Sequence, residues 1–375
     1  MVRQFRAKPR PGLVSVVMPA HNAEAFIRPA IESVLRQSYA GLELLIVDDG
    51  STDKTAEILA EFAARDARVQ IFRQENSGVA SARNRALAEA RGEFVATIDA
   101  DDVWFPEKLE KQIRCFAAAP ARVGLVYCWS ALLDAEGKIL DGGPVWNLEG
   151  DVVHALLYRN IVGNASVPLI RRAALDEAGK FDSQLHAQNA QGCEDWDIYL
   201  RLAERCEFRV VREYLIGYRQ LAGSMSASYD AMARSHVLVI EAALRRHPEA
   251  PRVVWRWSRG HFAHYLFCKA HADGNHRASL RWFLAAVRAD AAILLSPQSY
   301  RMVMQSLWRL FFPREKSSPA LRAVSREQNQ PSSETLAEVT ERKMQTRFPW
   351  RPFTWVEVRR WLRVTGKPLP SFKAV

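Results

Sequence analysis

The chain of 375 residues is poor in cysteine, and none of its five (Cys115, Cys128, Cys193, Cys206, Cys268) stands at the close spacing of a metal site. An odd, scattered set excludes a disulfide framework and points to reduced core thiols in a cytosolic protein. Long apolar runs are also missing. No stretch approaches the ~18 residues of a membrane span, and the best, 285–295, is broken by Arg288 and Asp290. The basic, proline-containing segment 1–13 lacks the apolar run of a signal peptide. No period recurs that would indicate a repeat architecture. Acidic residues are in deficit. The formal charge of +10 calls for an anionic partner, whether nucleotide, phospholipid surface, lipid-phosphate acceptor or nucleic acid, without choosing among them. What is present is 48% hydrophobic residues, enough to bury a full core in one large domain or two smaller ones.

The first hundred residues alternate strand and helix signals. Val14–Met18, Leu44–Val47, Val69–Phe72 and Phe94–Ile98 are short buried-strand runs. Between them Phe26, Ile27, Ala30, Ile31, Val34 and Leu35, then Ile58, Leu59 and Phe62, recur at helical spacing. A third helix is expected over about 81–90, ending at Gly92 as a C-cap. Such alternation predicts an α/β fold, a parallel sheet with helices on both faces, with ligands bound beyond the carboxyl ends of the strands. From 122 to about 218 the pattern is mixed. It gives strands at 123–129, 167–170, 208–211 and 215–218, and a helix at 196–203. Residues 231–312 read as a helical region rich in Trp, Arg and His, 313–345 as a polar flexible linker, and 346–375 as a basic aromatic tail.

The acidic clusters fall at the strand ends. Ile46-Val-Asp-Asp-Gly-Ser-Thr-Asp53 follows a strand and precedes a helix. Ser51, Thr52 or Asp53 is expected to cap that helix and Gly50 to make the turn. Capping leaves Asp48 and Asp49 placed to hydrogen-bond a base or ribose. Asp99-Ala-Asp-Asp102 follows a buried strand directly, in a loop expected to be exposed. Its reading is either an acidic loop before the next helix or a seat for a hard divalent cation, which takes oxygen ligands and keeps substrate phosphates in its shell. Glu194-Asp195 opens a helix, where acidic residues suit the dipole and where a carboxylate could act as a general base. Arg83, in Ser77-Gly-Val-Ala-Ser-Ala-Arg-Asn84, either faces a nucleotide or is a solvated helix residue.

In order and spacing these motifs, with Val14-Ser-Val-Val-Met-Pro-Ala-His-Asn22 and Gly179-Lys-Phe-Asp182, resemble the inverting family 2 glycosyltransferases of GT-A fold. The resemblance covers 14–220. It implies a nucleotide-sugar-binding half (14–121) and an acceptor-binding half (122–220). By resemblance Pro19, Ala20 and Asn22 lie in the loop bordering the base, and Asp49 hydrogen-bonds it, uracil being expected. Arg83 lies beside the nucleotide, Asp99 faces the ribose side and the metal, and Asp101 binds the metal. Asp195 is then the catalytic base, supported by Glu194. The implied cofactors are Mn²⁺ or Mg²⁺ and a nucleotide-sugar donor, a UDP-sugar by expectation. The implied acceptor is a glycan or a lipid-linked species in cell-surface polysaccharide or lipopolysaccharide assembly.

Two departures stand out. Lys180 occupies a position where the family often has a second glycine, and the Gln-x-x-Arg-Trp motif of processive synthases is missing. Polymerisation of a long glycan is therefore not expected. Two rival readings remain. A sugar-phosphate nucleotidyltransferase would want a Gly-rich, basic phosphate loop after the first strand, where this chain has Pro19-Ala-His-Asn22. A degenerate enzyme that binds nucleic acid or membrane would draw on the basic charge, but the acidic set argues against degeneracy and against a nucleic-acid partner. Tryptophan beside arginine in the last third suits peripheral contact with the cytoplasmic face of a membrane.

Overall fold

The computed structural model describes residue 5, residues 8–221 and residues 228–312. The expected linker (313–345) and tail (346–375) lie outside the described residues, as does most of the segment before Lys8. The chain divides into two compact units, Met1–Pro248 and Glu249–Val375.

In chain order the first unit runs β1 (Arg10–Ala20), α1 (Ile27–Leu35), β2 (Leu42–Asp49), α2 (Thr55–Arg65), β3 (Val69–Gln74), α3 (Val79–Glu89) and β4 (Gly92–Thr97). Next come β5 (Val103–Trp104), α4 (Lys108–Ala118), β6 (Val123–Leu133), β7 (Ile139–Gly142), α5 (Val153–Tyr158), β8 (Leu169–Arg171) and α6 (Arg172–Ala178). It closes with α7 (Gln184–Ala187), α8 (Glu194–Ala203), β9 (Glu207–Arg219) and α9 (Tyr229–Arg246). Among the described residues one sheet has the order β3-β2-β1-β4-β8-β6-β9-β5, with β7 on β6. β1 to β4 are mutually parallel, while β8 joins antiparallel to both β4 and β6. The sheet is thus mixed, parallel where βα units alternate, antiparallel at β8, and parallel again between β6 and β9.

Burial explains the sequence pattern. Val14 to Ala20 and Leu42 to Asp49 are continuously buried, as strands covered on both faces must be. α1 buries Ile27, Ala30, Ile31 and Val34, a helical stripe. Each such aliphatic side chain contributes roughly 1.5–3 kcal/mol by leaving water. Glu43 is tolerated in that core because Arg91 at 2.6 Å and the Ser15 hydroxyl at 2.6 Å satisfy it.

Four local expectations are corrected. Gly92 does not cap α3 but opens β4, where a Cβ would meet Leu13 O and Ser15 N at 2.7 and 2.6 Å. Close backbone approach, not a left-handed turn, requires glycine there. The segments read as two strands at 208–211 and 215–218 are one strand, β9, whose pairing with β6 shifts register. Pro19 and Ala20 belong to β1, in register with Val47 and Asp48, rather than to the loop after it. Ser51 and Thr52 do not cap α2. Asp53 accepts the Thr55 N–H at 3.0 Å, while Ser51 Oγ accepts from Asn22 N.

The second unit, as described, is helical: α10 (Val253–Ala272), α11 (His276–Ala289), a 3₁₀ turn (Ala291–Leu295) and α12 (Pro297–Phe311). α9 is grouped with the first unit, packing on α5 and α8. Among the described residues no helix is long and apolar enough to cross a membrane.

Candidate active site

The carboxyl ends of β2, β1 and β4 lie side by side, so the segments that follow them meet at one edge of the sheet. Their side chains tie one loop to the next. Asn22, at φ 47°, accepts the Thr52 N–H on its side-chain oxygen at 2.8 Å, and its own N–H donates to Ser51 Oγ. The His21 ring meets the Asp49 carbonyl at 2.9 Å through Nδ1. Asp49 is buried, and its carboxylate accepts from Ser77 N, Gly78 N and Gln74 Nε2 at 2.8–2.9 Å. It therefore anchors the turn into α3, a role its position in sequence did not disclose. Asp48 is different. One of its oxygens accepts Ser51 N, while the other is buried without a hydrogen-bond partner and lies 3.6 Å from Arg73 Nε. That distance is too long for a hydrogen bond.

Arg83 is buried, which rules out the solvated reading. Its guanidinium donates to Asp99 at 2.6 Å and lies 5.4 Å from the centre of the Phe181 ring. Asn84 beside it makes a two-way link to the Phe181 backbone, donating to O at 2.8 Å and accepting from N at 3.0 Å. Thus the Gly78–Asn84 and Gly179–Asp182 motifs, far apart in the chain, form one structure. Gly179 takes φ 87° after α6, whereas Lys180 has no positive φ. A side chain at 180 is accordingly accommodated without backbone strain. Arg83 also attracts Asp195 and Glu194 at the start of α8, so the helix and the acidic loop converge on one guanidinium.

Asp195 keeps some solvent contact, and its carboxylate accepts the Trp196 N–H at 2.7 Å. Desolvation, partly offset by Arg83 and reinforced by Glu194, pushes its pKa up to about 7. A carboxylate tuned near neutrality suits proton transfer. Glu194 is buried, has a pKa raised by burial, and holds the Gly192 N–H at 2.8 Å. Asp197, the other acid in that turn, is engaged by Arg201 at 2.6 Å.

The Asp99-Ala-Asp-Asp102 loop is not exposed as expected: Asp102 is fully buried and Ala100 nearly so. Asp102 accepts from the Ser166 hydroxyl at 2.5 Å and the Arg219 backbone N–H at 3.1 Å. Ser166 in turn accepts the Asp99 N–H, and the Arg219 side chain donates to the Asp101 carbonyl at 2.9 Å. Asp102 thus pins the loop from within, leaving Asp99 and Asp101 as its partly exposed carboxylates. Burial, and second the like charge of Asp99, pushes the Asp101 pKa up to about 6. A carboxylate held up in pKa by the like charge beside it is part of a donor set that a divalent cation would relieve. Among the described residues no three His, Cys, Asp or Glu side chains gather to hold a metal. Asp99 and Asp101 are the carboxylates that could hold a divalent cation there, with phosphate and water as further ligands. Sequence reasoning missed Asp102's structural role, together with Ser166, Arg219 and Phe181, whose contributions depend on distant chain segments.

Residues 15–129 match the family described as glycosyl transferase family 2. The match is confined to this segment, under a third of the chain. Asp49, Arg83, Asp99 and Asp101 fall inside the matched segment, while Glu194 and Asp195 lie beyond it. The chain is 48% identical over 102 residues to TuaG of Bacillus subtilis, a putative teichuronic acid biosynthesis glycosyltransferase, covering 27% of this chain and 40% of TuaG. It is 48% identical over 102 residues to WfgD of Escherichia coli, a UDP-Glc:alpha-D-GlcNAc-diphosphoundecaprenol beta-1,3-glucosyltransferase, again covering 27% and 40%. The chain thus spans less than half the length of these relatives. Among solved structures, the mannosyltransferase PcManGT of Pyrobaculum calidifontis, in complex with GDP-Man and Mn²⁺, superposes with a TM-score of 0.52. That likeness covers 90% of this chain and 88% of PcManGT at 20% identity, and it speaks to the fold alone. The expected fold is the one adopted: a GT-A-type mixed α/β sheet flanked by helices, followed by a helical region.

Proposed function

We propose that the protein is a metal-dependent, inverting, non-processive glycosyltransferase that moves a sugar from a nucleotide-sugar, a UDP-sugar, to the hydroxyl of a glycan or lipid-linked acceptor. The observation that carries this reading is the convergence of Asp99 and Asp195 on Arg83 at the carboxyl edge of the sheet. It sets a cation-seeking carboxylate pair and a carboxylate of near-neutral pKa around one fixed positive charge. TuaG and WfgD, named for teichuronic acid biosynthesis and for a diphosphoundecaprenol acceptor, support a role in cell-surface glycan assembly.

In this mechanism Pro19, Ala20, Asn22 and Asp49 border the base. The unpartnered Asp48 oxygen is a ready acceptor for a donor N–H or O–H. Asp101 and Asp99 would hold Mn²⁺ or Mg²⁺, which when bound offsets charge growing on the leaving diphosphate. Arg83, locked by Asp99 and Phe181, contributes a second fixed positive charge without reorganisation. Asp195 takes the acceptor proton as the hydroxyl oxygen bonds the anomeric carbon. The bond from that carbon to the diphosphate breaks on the opposite face, and its electron pair leaves with the nucleoside diphosphate. Glu194 keeps the start of α8 in place through Gly192.

The test is incubation of the full chain with a panel of nucleotide-sugars and Mn²⁺ or Mg²⁺, following nucleoside diphosphate and pyrophosphate separately. Chelator-sensitive release of nucleoside diphosphate, with inversion at the transferred sugar, is expected. Pyrophosphate release, or turnover undiminished by chelator, would overturn the reading. Peripheral membrane attachment through the C-terminal region belongs to the same proposal and has its own test below.

A further inference from the structure

α12 is amphipathic in the opposite sense to a helix that packs an apolar core. The residues it buries are Ser299 and Ser306, which meet the rings of His264 and His271 at 2.9 Å. Its aromatic side chains face outward instead, while Met302, Val303 and Leu307 are half-buried. Tyr300, Met304, Trp308 and Phe311, at helical spacing, are 49, 65, 62 and 77% exposed, and Phe312 continues the surface. The preceding turn adds exposed Leu294 and Leu295. Soluble surfaces scatter such residues singly, and a contiguous aromatic stripe marks an interaction site.

Charge identifies the partner. Across 276–312 the cationic side chains are Arg277, Arg281, Arg288, Arg301 and Arg309, against Asp290 alone. Asp290 is buried, accepting the Ala292 N–H at 3.1 Å. Beside the stripe, His271, His276 and Arg309 line an open groove walled by Trp308 and Phe312, whose ring centres lie 4.2 Å apart. An aromatic stripe rimmed by arginine, with no exposed acid across 276–312 and the exposed Asp273 beside the groove paired with Lys269 at 3.5 Å, matches a bilayer interface carrying anionic phosphate. It does not match a second copy of the same basic face. Nor does it match the chain's own 346–375 segment, which carries seven cationic residues against Glu357. We propose that the outward face of α12, with the adjoining groove, is a docking surface for an anionic phospholipid membrane. This rests on the peripheral-attachment reading above and assigns the surface that carries it.

The test compares the full-length chain with Met304→Glu/Phe311→Glu and Arg301→Gln/Arg309→Gln variants. Co-sedimentation would use phosphatidylglycerol-rich and pure phosphatidylcholine vesicles. Arg301, Met304 and Phe311 are exposed and Arg309 is half-buried, and thermal melting verifies that each variant stays folded. The expected result is a partition coefficient on anionic vesicles reduced at least tenfold by the acidic pair and about fivefold per arginine removed, with salt weakening the wild type. Unchanged binding by both variants overturns the assignment. So does loss of binding only in a full-length Arg359→Gln/Arg360→Gln/Arg363→Gln variant, which leaves peripheral attachment standing. Absence of wild-type vesicle binding rejects attachment itself. A wild-type dimer dissolved by the acidic pair, with no vesicle binding, makes the face a self-association surface instead. Nucleoside diphosphate release by every variant in vesicle-free solution separates these outcomes from failure of the glycosyltransferase reading.

Discussion

Replacing Asp195 by asparagine should move activity and stability in opposite directions, and the structure sets the size of both. The carboxyl titrates near 7 instead of its ordinary 3.8 because burial penalises its charged form more than Arg83 repays. A folded-state pKa above the unfolded one means that the native protein binds the extra proton. The stability this brings is present below about 4 and is lost as pH rises through about 7. Above that window the wild type carries a poorly solvated carboxylate, at a cost of up to ~4 kcal/mol for a gap of roughly three units. Remaining solvent contact brings this to about 2 kcal/mol. Asparagine has the same shape and no charge, so at pH 8 the variant should melt roughly 4–8 °C above wild type. At pH 5, inside the window where the stability is being lost, roughly a third of that gap should remain. Turnover should fall ~10²-fold or more, because the amide cannot take the acceptor's proton, while donor affinity stays close to normal. Wild-type kcat/KM should climb with pH through about 7. The assays are thermal melts at both pH values and initial rates of nucleoside diphosphate release. A melting gap of equal size at pH 5 and pH 8, or near-normal turnover by the variant, would refute the reasoning.

Asp101→Asn should abolish Mn²⁺- or Mg²⁺-stimulated turnover while leaving the melting temperature within a few degrees, measured by metal titration of activity and by melting. Asp102→Ala should instead destabilise the fold by ~1–3 kcal/mol, because Ser166 and the Arg219 N–H lose a buried acceptor. Denaturant melts of this variant that match wild type would show that the loop does not depend on it. Lys108 is fully buried over the Trp104 ring, its Nζ without a hydrogen-bond partner, and burial brings its pKa down to about 7. Its unfolded form binds the extra proton between about 7 and 10.5, so its penalty is full below 7 and fades toward 10.5. Lys108→Met should therefore raise the melting temperature more at pH 6 than at pH 10, and a pH-independent effect would contradict this.

The five cysteines are all free, and burial pushes the Cys128 thiol up to about 12, which makes it an inert core group. Cys115, Cys206 and Cys268 are only half-buried, so the sequence expectation of core thiols holds for Cys128 and Cys193.

Sequence by itself determined whatever depends on neighbours a few residues away. Strands buried on both faces need unbroken apolar runs, and the helices between them need apolar residues every three or four positions. These signals placed β1 to β4 and their helices, and so carried Asp49, Asp99 and Asp101 to strand ends. The tertiary structure alone decided how those residues are used. Whether Arg83 is solvated or buried depends on Phe181, almost a hundred positions away, and on Asp99. Which member of Asp99-Ala-Asp-Asp102 turns inward depends on Ser166 and Arg219. Gly92 reads as a helix stop until the backbone of β1 is seen packed against it. Likewise α12 displays an ordinary amphipathic pattern, and only its packing on serines reveals that the apolar side faces out. Periodicity states that a helix has an apolar side; it takes the neighbours to say whether that side is already covered.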